Sequence, residues 1–329
     1  MAGPLLRALP PHWRLRLYRG IVGRPFRAGV FADRVERRVW PHGYVMRLDL
    51  SDWMERCAAI TGLFYGIDTT LVLQQRLAPG SIFLDIGGNL GFLSLTASVL
   101  VGDKGRVIHV EPNPVLVARL RETLARNATG NVAIVEAAIG ERDGETALTV
   151  PIHHGKTYLA EGKGVAMRTG DSLLPLIPDG APLFVKIDVE GYEEKVLHGM
   201  PALRARPDTA FLIEITDAWL RLRGGSAVAL IELMAGDGFS ACHVGVARDG
   251  SLQLTHIREP LPLKQYDLLF TRGIDAAWIH PDGPESLCIG SGPLPVSVFS
   301  RPGRGPALRR SALRSARRPC ADCRCSGTG

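Results

Sequence analysis

Residues 183–193, LFVKIDVEGYE, place three charges at alternate positions of what otherwise reads as a buried strand: Lys186, Asp188 and Glu190. A parallel strand covered on both faces should be nearly all apolar, and ligands of open α/β sheets bind outside the carboxyl ends of such strands. The charges crowd toward that end, and a later apolar run, AFLIEI (210–215), carries Glu214 near its own end. The pattern predicts an active-site floor, with Asp188, Glu190 and Glu214 as candidate catalytic residues.

A glycine-containing loop supplies the second candidate site. In FLDIGGNLGFLS (83–94) an apolar run turns into a helical pattern, and such a turn brings backbone N–H groups and a helix N-terminus close to a ligand. The dinucleotide fingerprint G-x-G-x-x-G fails, because Asn89 and Phe92 stand at its second and third glycine positions. The residues predicted to hold a cofactor here are Gly87, Gly88, Asn89 and Gly91.

Two carboxylates flank this loop. Asp85 lies just before it, where a carboxylate repels a pyrophosphate but suits a cationic amino group. Glu111 ends the next apolar run, where acidic residues of related folds accept the hydroxyls of a ribose. Asn113 follows as a predicted helix cap before Pro114, and we place it beside the same ligand. A cofactor with an amino-acid tail and a positive centre fits best, which predicts S-adenosyl-L-methionine (SAM).

Several segments, in this order, resemble the FkbM-type family of SAM-dependent methyltransferases: DIGGNLGFLS, HVEPNP, EAAIG, GDSLL and VKIDVEGYEEKVLHG. The likeness covers roughly residues 60–275. It implies an α/β, class I methyltransferase (Rossmann-like) fold with a doubly wound, mostly parallel, seven-stranded sheet. It also implies methyl transfer to oxygen, usually a hydroxyl on a sugar or natural product. Carried over by position, the loop from Asp85 would hold the methionine moiety, Glu111 the ribose and Ala138 the adenine region.

Short apolar runs alternate with helical patterns from residue 80, which predicts βαβ units. We predict parallel strands at 81–86, 106–111, 132–139, 183–189 and 210–215, then an antiparallel closing pair near 240–247 and 266–272. Two short strands, 146–150 and 165–169, enclose a loop with His153 and His154, which either cover the site or are simply solvated.

The domain organisation follows from composition. We predict an Arg-rich N-terminal appendage (1–60), a methyltransferase domain (61–280) and a disordered basic tail rich in Pro, Arg and Cys (281–329). Residues 1–47 carry a net charge of +8 and residues 284–329 one of +6, so the middle carries −8. The basic balance therefore belongs to the ends, which argues against a nucleic-acid partner.

The remaining composition bears on location. No run of 18 apolar residues suggests a membrane span, and Pro and Arg break every candidate secretory signal. The Arg-rich start could touch an anionic membrane surface, although a solvated leader is the simpler interpretation. Three scattered cysteines are typical of a reduced compartment, so we predict a cytoplasmic protein. Cys320, Cys323 and Cys325 lack the fourth ligand that a structural zinc would need.

Several roles stay open at this stage. Asp188 is the first choice for a base that takes the proton of an acceptor hydroxyl, and Glu190 the second. Asp188 could instead only line the SAM pocket, or bind Mg²⁺ together with Glu214. Lys186 would need a depressed pKa to act as a base, so an ion pair is favoured. Tyr65 either packs or closes on the cofactor.

The leading interpretation is a SAM-dependent O-methyltransferase with a small-molecule or glycan acceptor. A catalytically silent SAM-binding module is the alternative from another class, and an intact charged strand end speaks against it. An NAD(P)-dependent oxidoreductase on a similar sheet is disfavoured by the failed glycine fingerprint and by Asp85. The low overall content of aromatic residues, 6%, favours a sugar hydroxyl over a flat aryl acceptor.

Overall fold

The computed structural model describes residues 34–39, 42–149, 158–272 and 286–288, with isolated positions 9, 13, 14 and 17. The strands are β1 (Arg34–Val39), β2 (Tyr44–Asp49), β3 (Ile82–Ile86), β4 (Arg106–Val110), β5 (Val132–Val135), β6 (Ala138–Gly140), β7 (Gly144–Thr149), β8 (Tyr158–Thr169), β9 (Leu183–Ile187), β10 (Thr209–Ile215), β11 (Ser240–Val246), β12 (Leu252–Ile257), β13 (Tyr266–Thr271) and β14 (Ser286–Cys288). The α-helices are α1 (Trp53–Thr61), α2 (Ile67–Arg76), α3 (Phe92–Val101), α4 (Pro114–Arg126), α5 (Glu193–His198), α6 (Pro201–Ala205), α7 (Asp217–Leu222) and α8 (Ala227–Gly236), and a 3₁₀ helix covers Gly170–Leu176.

The central sheet has the order β14-β12-β11-β13-β10-β9-β3-β4-β5. Strands β5, β4, β3, β9 and β10 are parallel, and β13 enters antiparallel between β10 and β11. The predicted doubly wound class I methyltransferase fold is confirmed, with β12 and β14 extending the edge beyond the seven expected strands. The chain winds away from β3 in both directions, so the switch point that binds ligands in such sheets lies between β3 and β9.

Local sequence explains the elements around this point. The Asn113 side chain accepts a hydrogen bond from the Val115 N–H, which confirms the predicted cap of α4. Along α4 the apolar stripe of Leu116, Val117 and Leu120 is fully buried against the sheet layer. Strand β3 is buried along its whole length, as expected for a strand with both faces covered.

The third predicted strand breaks in two. Residues 132–135 form β5, whereas β6 leaves the central sheet and pairs with β8 in a separate three-stranded sheet, β6-β8-β7. The break falls at Glu136, whose carboxylate turns outward to an exposed ion pair with Arg121. The predicted short strands of the insertion are present as β7 and β8, but His153 and His154 lie outside the described residues.

The N-terminal elements pack against the same domain. Asp52 caps α1 by accepting the N–H groups of Met54 and Glu55, and the helix runs past the predicted boundary at residue 60. The carboxylate of Glu55 is fully buried and bonds Arg119 of α4 at 2.6 Å. This ion pair fixes α1 beside the sheet.

The far end of the chain departs from expectation at one point. Ser286–Cys288, inside the predicted tail, pairs with β12 as strand β14, and the rest of that tail lies outside the described residues. Among the helices that the structure describes, none is long and apolar enough to cross a membrane.

Candidate active site

A cavity of about 680 Å³ opens at the carboxyl ends of β3, β4, β9 and β10. Nearly all of the predicted site residues line it: Asp85, Gly87, Gly88, Asn89, Glu111, Ala138, Asp188, Glu190 and Glu214. The other two lie behind its wall, where Gly91 is the N-cap of α3 and Asn113 that of α4. The topology therefore brings segments more than a hundred residues apart to one concave surface.

The glycine loop is pressed against the end of β9. A Cβ on Gly87, whose φ is +80°, would lie 1.9 Å from the carbonyl oxygen of Asp188. The Asp188 N–H in turn donates to the Ile86 carbonyl at 3.0 Å. A Cβ on Gly88 would meet the His109 ring at 2.3 Å. Glycine at these positions lets the loop and the candidate base approach each other at backbone distance.

The N–H groups of this loop are already engaged. Those of Gly87 and Gly88 donate to the Val110 carbonyl at 3.0 and 3.1 Å, and that of Asn89 donates to Oε2 of Glu111 at 2.9 Å. The loop thus shapes the cavity floor through tight backbone packing. These three N–H groups are satisfied within the protein, and the assignment of the loop to the cofactor stays a prediction.

Asp85 is held by a buried network that the sequence did not reveal. The Ser94 hydroxyl donates to Oδ2 of Asp85 at 2.6 Å and lies 2.8 Å from Nδ1 of His109. Both partners are buried, and His109 is fully so. The network fixes the Asp85 carboxylate at the cavity wall, and His109 contributes to it through Ser94.

Glu111 is similarly fixed. Its Oε1 accepts the N–H of Asn113 at 2.8 Å, and its Oε2 accepts that of Asn89. Burial raises the pKa of Glu111, while these two hydrogen bonds and the nearby His109 act in the opposite direction. Each carboxylate oxygen keeps a second lone pair, so the group can accept two neighbouring hydroxyls from the cavity.

These residues fit SAM. A fixed carboxylate at Asp85 suits its ammonium group, and Glu111 suits the ribose hydroxyls. Beyond Glu111 the cavity wall becomes apolar, with Pro112, Leu116 and Ala138, as a purine ring requires.

Lys186 lies at the centre of the charged floor. Its ammonium is 3.2 Å from Oδ1 of Asp267 and 3.8 Å from Oδ2 of Asp188, and the residue is almost fully buried. Burial alone would lower the pKa of Lys186, but Asp267, Asp188 and Glu214 outweigh burial and raise it. The predicted ion pair is present, and a permanently charged Lys186 is no base. Asp267 came from the last predicted strand and was not among the candidates.

Asp188 and Glu214 form a coupled carboxyl pair. Burial raises the pKa of both groups, Lys186 lowers both, and a side-chain hydrogen bond from Glu214 favours the ionised form of Asp188. Gln265 donates to Oε1 of Glu214 at 2.5 Å. Because the pKa of Glu214 is raised well above its ordinary value, Glu214 is the member of the pair that favours the proton, which leaves Asp188 as the better candidate base.

Glu190 lies in the turn after β9. Because β9 ends at Ile187, the alternation of side chains along a strand does not extend to Glu190, whose φ is +54°. Glu193 holds this turn by accepting the N–H groups of Val189 and Gly191, both at 3.1 Å. Glu193 is a supporting residue that the sequence interpretation missed.

Aromatic side chains are concentrated around the cavity, contrary to the argument from overall composition. The lining includes Trp53, Phe64, Tyr65, Phe92, Trp219 and Tyr266. Burial and the carboxylates of Asp188 and Glu214 together raise the pKa of Tyr65 well above the ordinary value. In the described part of the chain, no three His, Cys, Asp or Glu side chains are grouped to hold a metal ion.

Comparison with known proteins agrees with this geometry. Residues 85–241 match the model of the methyltransferase FkbM domain. The chain is 28% identical over 162 residues to the hexuronic acid methyltransferase AglP of Haloferax volcanii, covering 48% of this chain and 65% of that protein. It is 31% identical over 129 residues to a protein-L-isoaspartate O-methyltransferase of Caenorhabditis elegans, covering 35% and 56%.

Further matches are more partial. A probable cobalt-precorrin-6B C(15)-methyltransferase of Sulfolobus acidocaldarius is 38% identical over 68 residues, or 21% of this chain and 35% of that protein. The crystal structure of methyltransferase FkbM from Methylobacillus flagellatus aligns with a TM-score of 0.39 at 18% identity, covering 59% of this chain and 44% of that one. The chain thus spans between about a third and two thirds of the curated relatives named here.

Proposed function

The chain belongs to the FkbM-type family of SAM-dependent methyltransferases, and we propose that it methylates a hydroxyl of a sugar, glycan or natural-product metabolite, with Asp188 as the base. The observation that carries this proposal is the contact between Gly87 and the backbone of Asp188. It puts the candidate base at the same cavity edge as the cofactor loop, where an acceptor oxygen must line up with the methyl donor.

SAM, when bound, supplies an electrophilic methyl group and departs as S-adenosylhomocysteine. Asp85 and Glu111 hold and orient it, because both carboxylates are fixed by short hydrogen bonds. As the new carbon–oxygen bond forms and the carbon–sulfur bond breaks, the hydroxyl proton passes to the Asp188 carboxylate. A positioned base of this kind contributes about 10²–10⁴-fold, and alignment of the two reactants contributes much of the rest.

The neighbours of Asp188 support this role. Lys186 and the side-chain hydrogen bond with Glu214 favour the ionised form of Asp188, against burial, which raises the pKa of Asp188. Among the described residues that line the cavity, Lys186 is the only Lys or Arg. This suits methyl transfer from a sulfonium, because SAM has no phosphate groups that would need cations to bind them.

The acceptor class draws on two further observations. One relative is a hexuronic acid methyltransferase. The cavity floor also carries hydrogen-bonding groups beyond the carboxylates, since Thr69 and Gln265 line it beside Asp267 and Glu214. A compound with several hydroxyls can use such groups. Cytoplasmic methylation of this acceptor is part of the proposal.

Labelled SAM and a panel of glycosides, catechols, amines and peptides test the proposal. We expect transfer to glycosides, and a fall of at least about a hundredfold in Asp188→Asn, the range for a lost general base. Asp179→Asn is the matched control, because this aspartate is fully exposed and remote from the cavity lining. Transfer to amines or peptides alone would refute the oxygen assignment. SAM binding without transfer to any class would favour the silent binding module.

A further inference from the structure

Four aromatic rings form a continuous row along the cavity, which we call the aromatic row: Trp53, Tyr65, Phe64 and Phe92. Ring centroids lie 5.1 Å apart between Trp53 and Tyr65, 4.6 Å between Tyr65 and Phe64, and 5.0 Å between Phe64 and Phe92. Phe92 directly follows the glycine loop, so one end of the row stands at the cofactor end of the cavity. All four residues line the cavity.

The row becomes more exposed away from the cofactor loop. Phe92 is 9% exposed and Trp53 is 45% exposed. Phe64 and Tyr65, between them, are half-buried. The gradient distinguishes a packed end from an open one. A partly exposed apolar ring beside a polar cavity marks a place where a ligand removes apolar surface from water.

The polar groups near the open end define what that ligand must offer. Tyr65, the neighbour of Trp53 in the row, is within electrostatic reach of Asp188, Glu214 and Asp267. The Trp53 ring lies 5.1 Å from that of Tyr65, so a ligand resting on Trp53 is next to the ring whose pKa these carboxylates raise. Thr69 and Gln265 line the same floor.

We propose that Trp53 is the platform on which the sugar ring of the acceptor lies, and that it determines specificity for a carbohydrate. This inference rests on the proposed O-methyl transfer. The apolar C–H face of a pyranose covers the flat indole, while its hydroxyls reach the carboxylates and amide of the floor. An aryl acceptor would use the indole but would leave most of these polar groups without partners, which is costly in a buried site.

The position of Trp53 in the fold strengthens the inference. It is the first residue of α1, held in place by the Asp52 cap and by the Glu55–Arg119 ion pair. This helix lies before the segment that matches the family model, residues 85–241. Cofactor binding and the base therefore come from the family domain, and the acceptor platform comes from the N-terminal elements.

The test compares Trp53→Ala and Trp53→Phe with Trp13→Ala in the full chain. Trp13 is the matched control, since it is 48% exposed and does not line the cavity. The measurements are kcat and KM for a methyl hexoside and for a catechol, with SAM affinity by titration calorimetry. We expect Trp53→Ala to raise the hexoside KM at least about tenfold, as loss of a stacking surface implies. Trp53→Phe should recover part of this loss, with kcat and SAM affinity within about twofold of the wild type.

Other outcomes overturn the inference in separable ways. An unchanged hexoside KM in Trp53→Ala removes Trp53 from the acceptor site while the O-methyltransferase proposal stands. A wild-type preference for the catechol makes the row an aryl site. If the wild type transfers only to amines, the proposed function fails. Calorimetric titration of the hexoside into the S-adenosylhomocysteine-loaded protein then tests the role of Trp53 separately from methyl transfer. Hexoside binding that is lost in Trp53→Ala supports the platform, and absence of hexoside binding to the wild type refutes it.

Discussion

Glu193 offers the sharpest test of how the site is supported. Its Oε1 accepts two backbone N–H groups of the turn that carries Asp188 and Glu190, and its Oε2 is buried with no hydrogen-bond partner among the described residues. Burial raises the pKa of this carboxyl from 4.5 to about 7, although the backbone hydrogen bonds pull it downward. Glutamine at this position keeps the accepting oxygen and removes the ionisable group.

The raised pKa makes the folded state bind the Glu193 proton more tightly than the unfolded state does. The stability contributed by this proton is complete below pH 4.5, declines as the pH rises, and is gone above about pH 7. At about 1.36 kcal/mol for each pKa unit, the difference between 4.5 and 7 is worth about 3 kcal/mol. Between pH 5 and pH 8 the wild type loses this contribution, whereas Glu193→Gln has no such group to titrate. The free energy of unfolding of Glu193→Gln should therefore rise by about 3 kcal/mol relative to that of the wild type over this range.

Urea unfolding of both proteins across this pH range measures the difference directly. Other buried carboxyls, such as Glu214, titrate in both proteins and cancel in the comparison. Glu122→Gln is the control, because Arg126 lowers the pKa of that exposed carboxylate and its contribution changes only at more acidic pH. If the free energy of unfolding changes with pH in the same way in the wild type and in Glu193→Gln, ionisation of Glu193 does not destabilise the fold. The upward shift of its pKa by burial would then be wrong.

Three further substitutions test other contacts. Glu111→Ala should weaken SAM binding by about 1–3 kcal/mol in a calorimetric titration, since charge-assisted hydrogen bonds are lost; unchanged affinity would remove Glu111 from the cofactor site. Lys186→Met should raise the pKa of Asp188, so the acidic limb of the kcat/KM profile should move to higher pH, and a profile that stays in place contradicts the proposed base. Arg119→Met leaves Glu55 buried without its cation and should cost about 3 kcal/mol in urea unfolding, whereas a loss below about 1 kcal/mol would mean that the pair is solvated.

The sequence was sufficient for the parts of the site that are local. The loop at Gly87 and the carboxylate at Glu111 lie at strand ends of a regular βαβ pattern, so their meeting follows from topology. The cap at Asn113 needs only its own helix. The two carboxylates beside the loop predicted the cofactor, and the resemblance to a known family added the expected reaction. All of these features depend on short segments whose partners lie within one supersecondary unit.

The acceptor side could not be predicted in this way. Trp53 and Tyr65 precede the first strand of the sheet, and nothing in their spacing shows which helix face meets the cavity. Overall aromatic content was misleading because it averages over the chain, whereas the site draws six aromatic residues to one surface. Strand β12 shows a different limit. Its alternation, with Leu252 and Leu254 buried, is present in the sequence, but the pattern is short and lies between two stronger apolar runs.

The charged floor shows why a buried lysine stands in β9. The antiparallel entry of β13 places Asp267 directly opposite Glu214 of β10. Like charges at such a position destabilise a strand pair. Lys186, on the neighbouring strand and the same face of the sheet, supplies the missing cation at 3.2 Å from Asp267. Lys186 thereby favours the ionised forms of Asp188 and Glu214, against burial, which raises the pKa of both carboxyls. Lys186 is thus paired with a carboxylate on a strand some 80 residues later in the chain. No local pattern in LFVKIDVEGYE could have indicated this pairing.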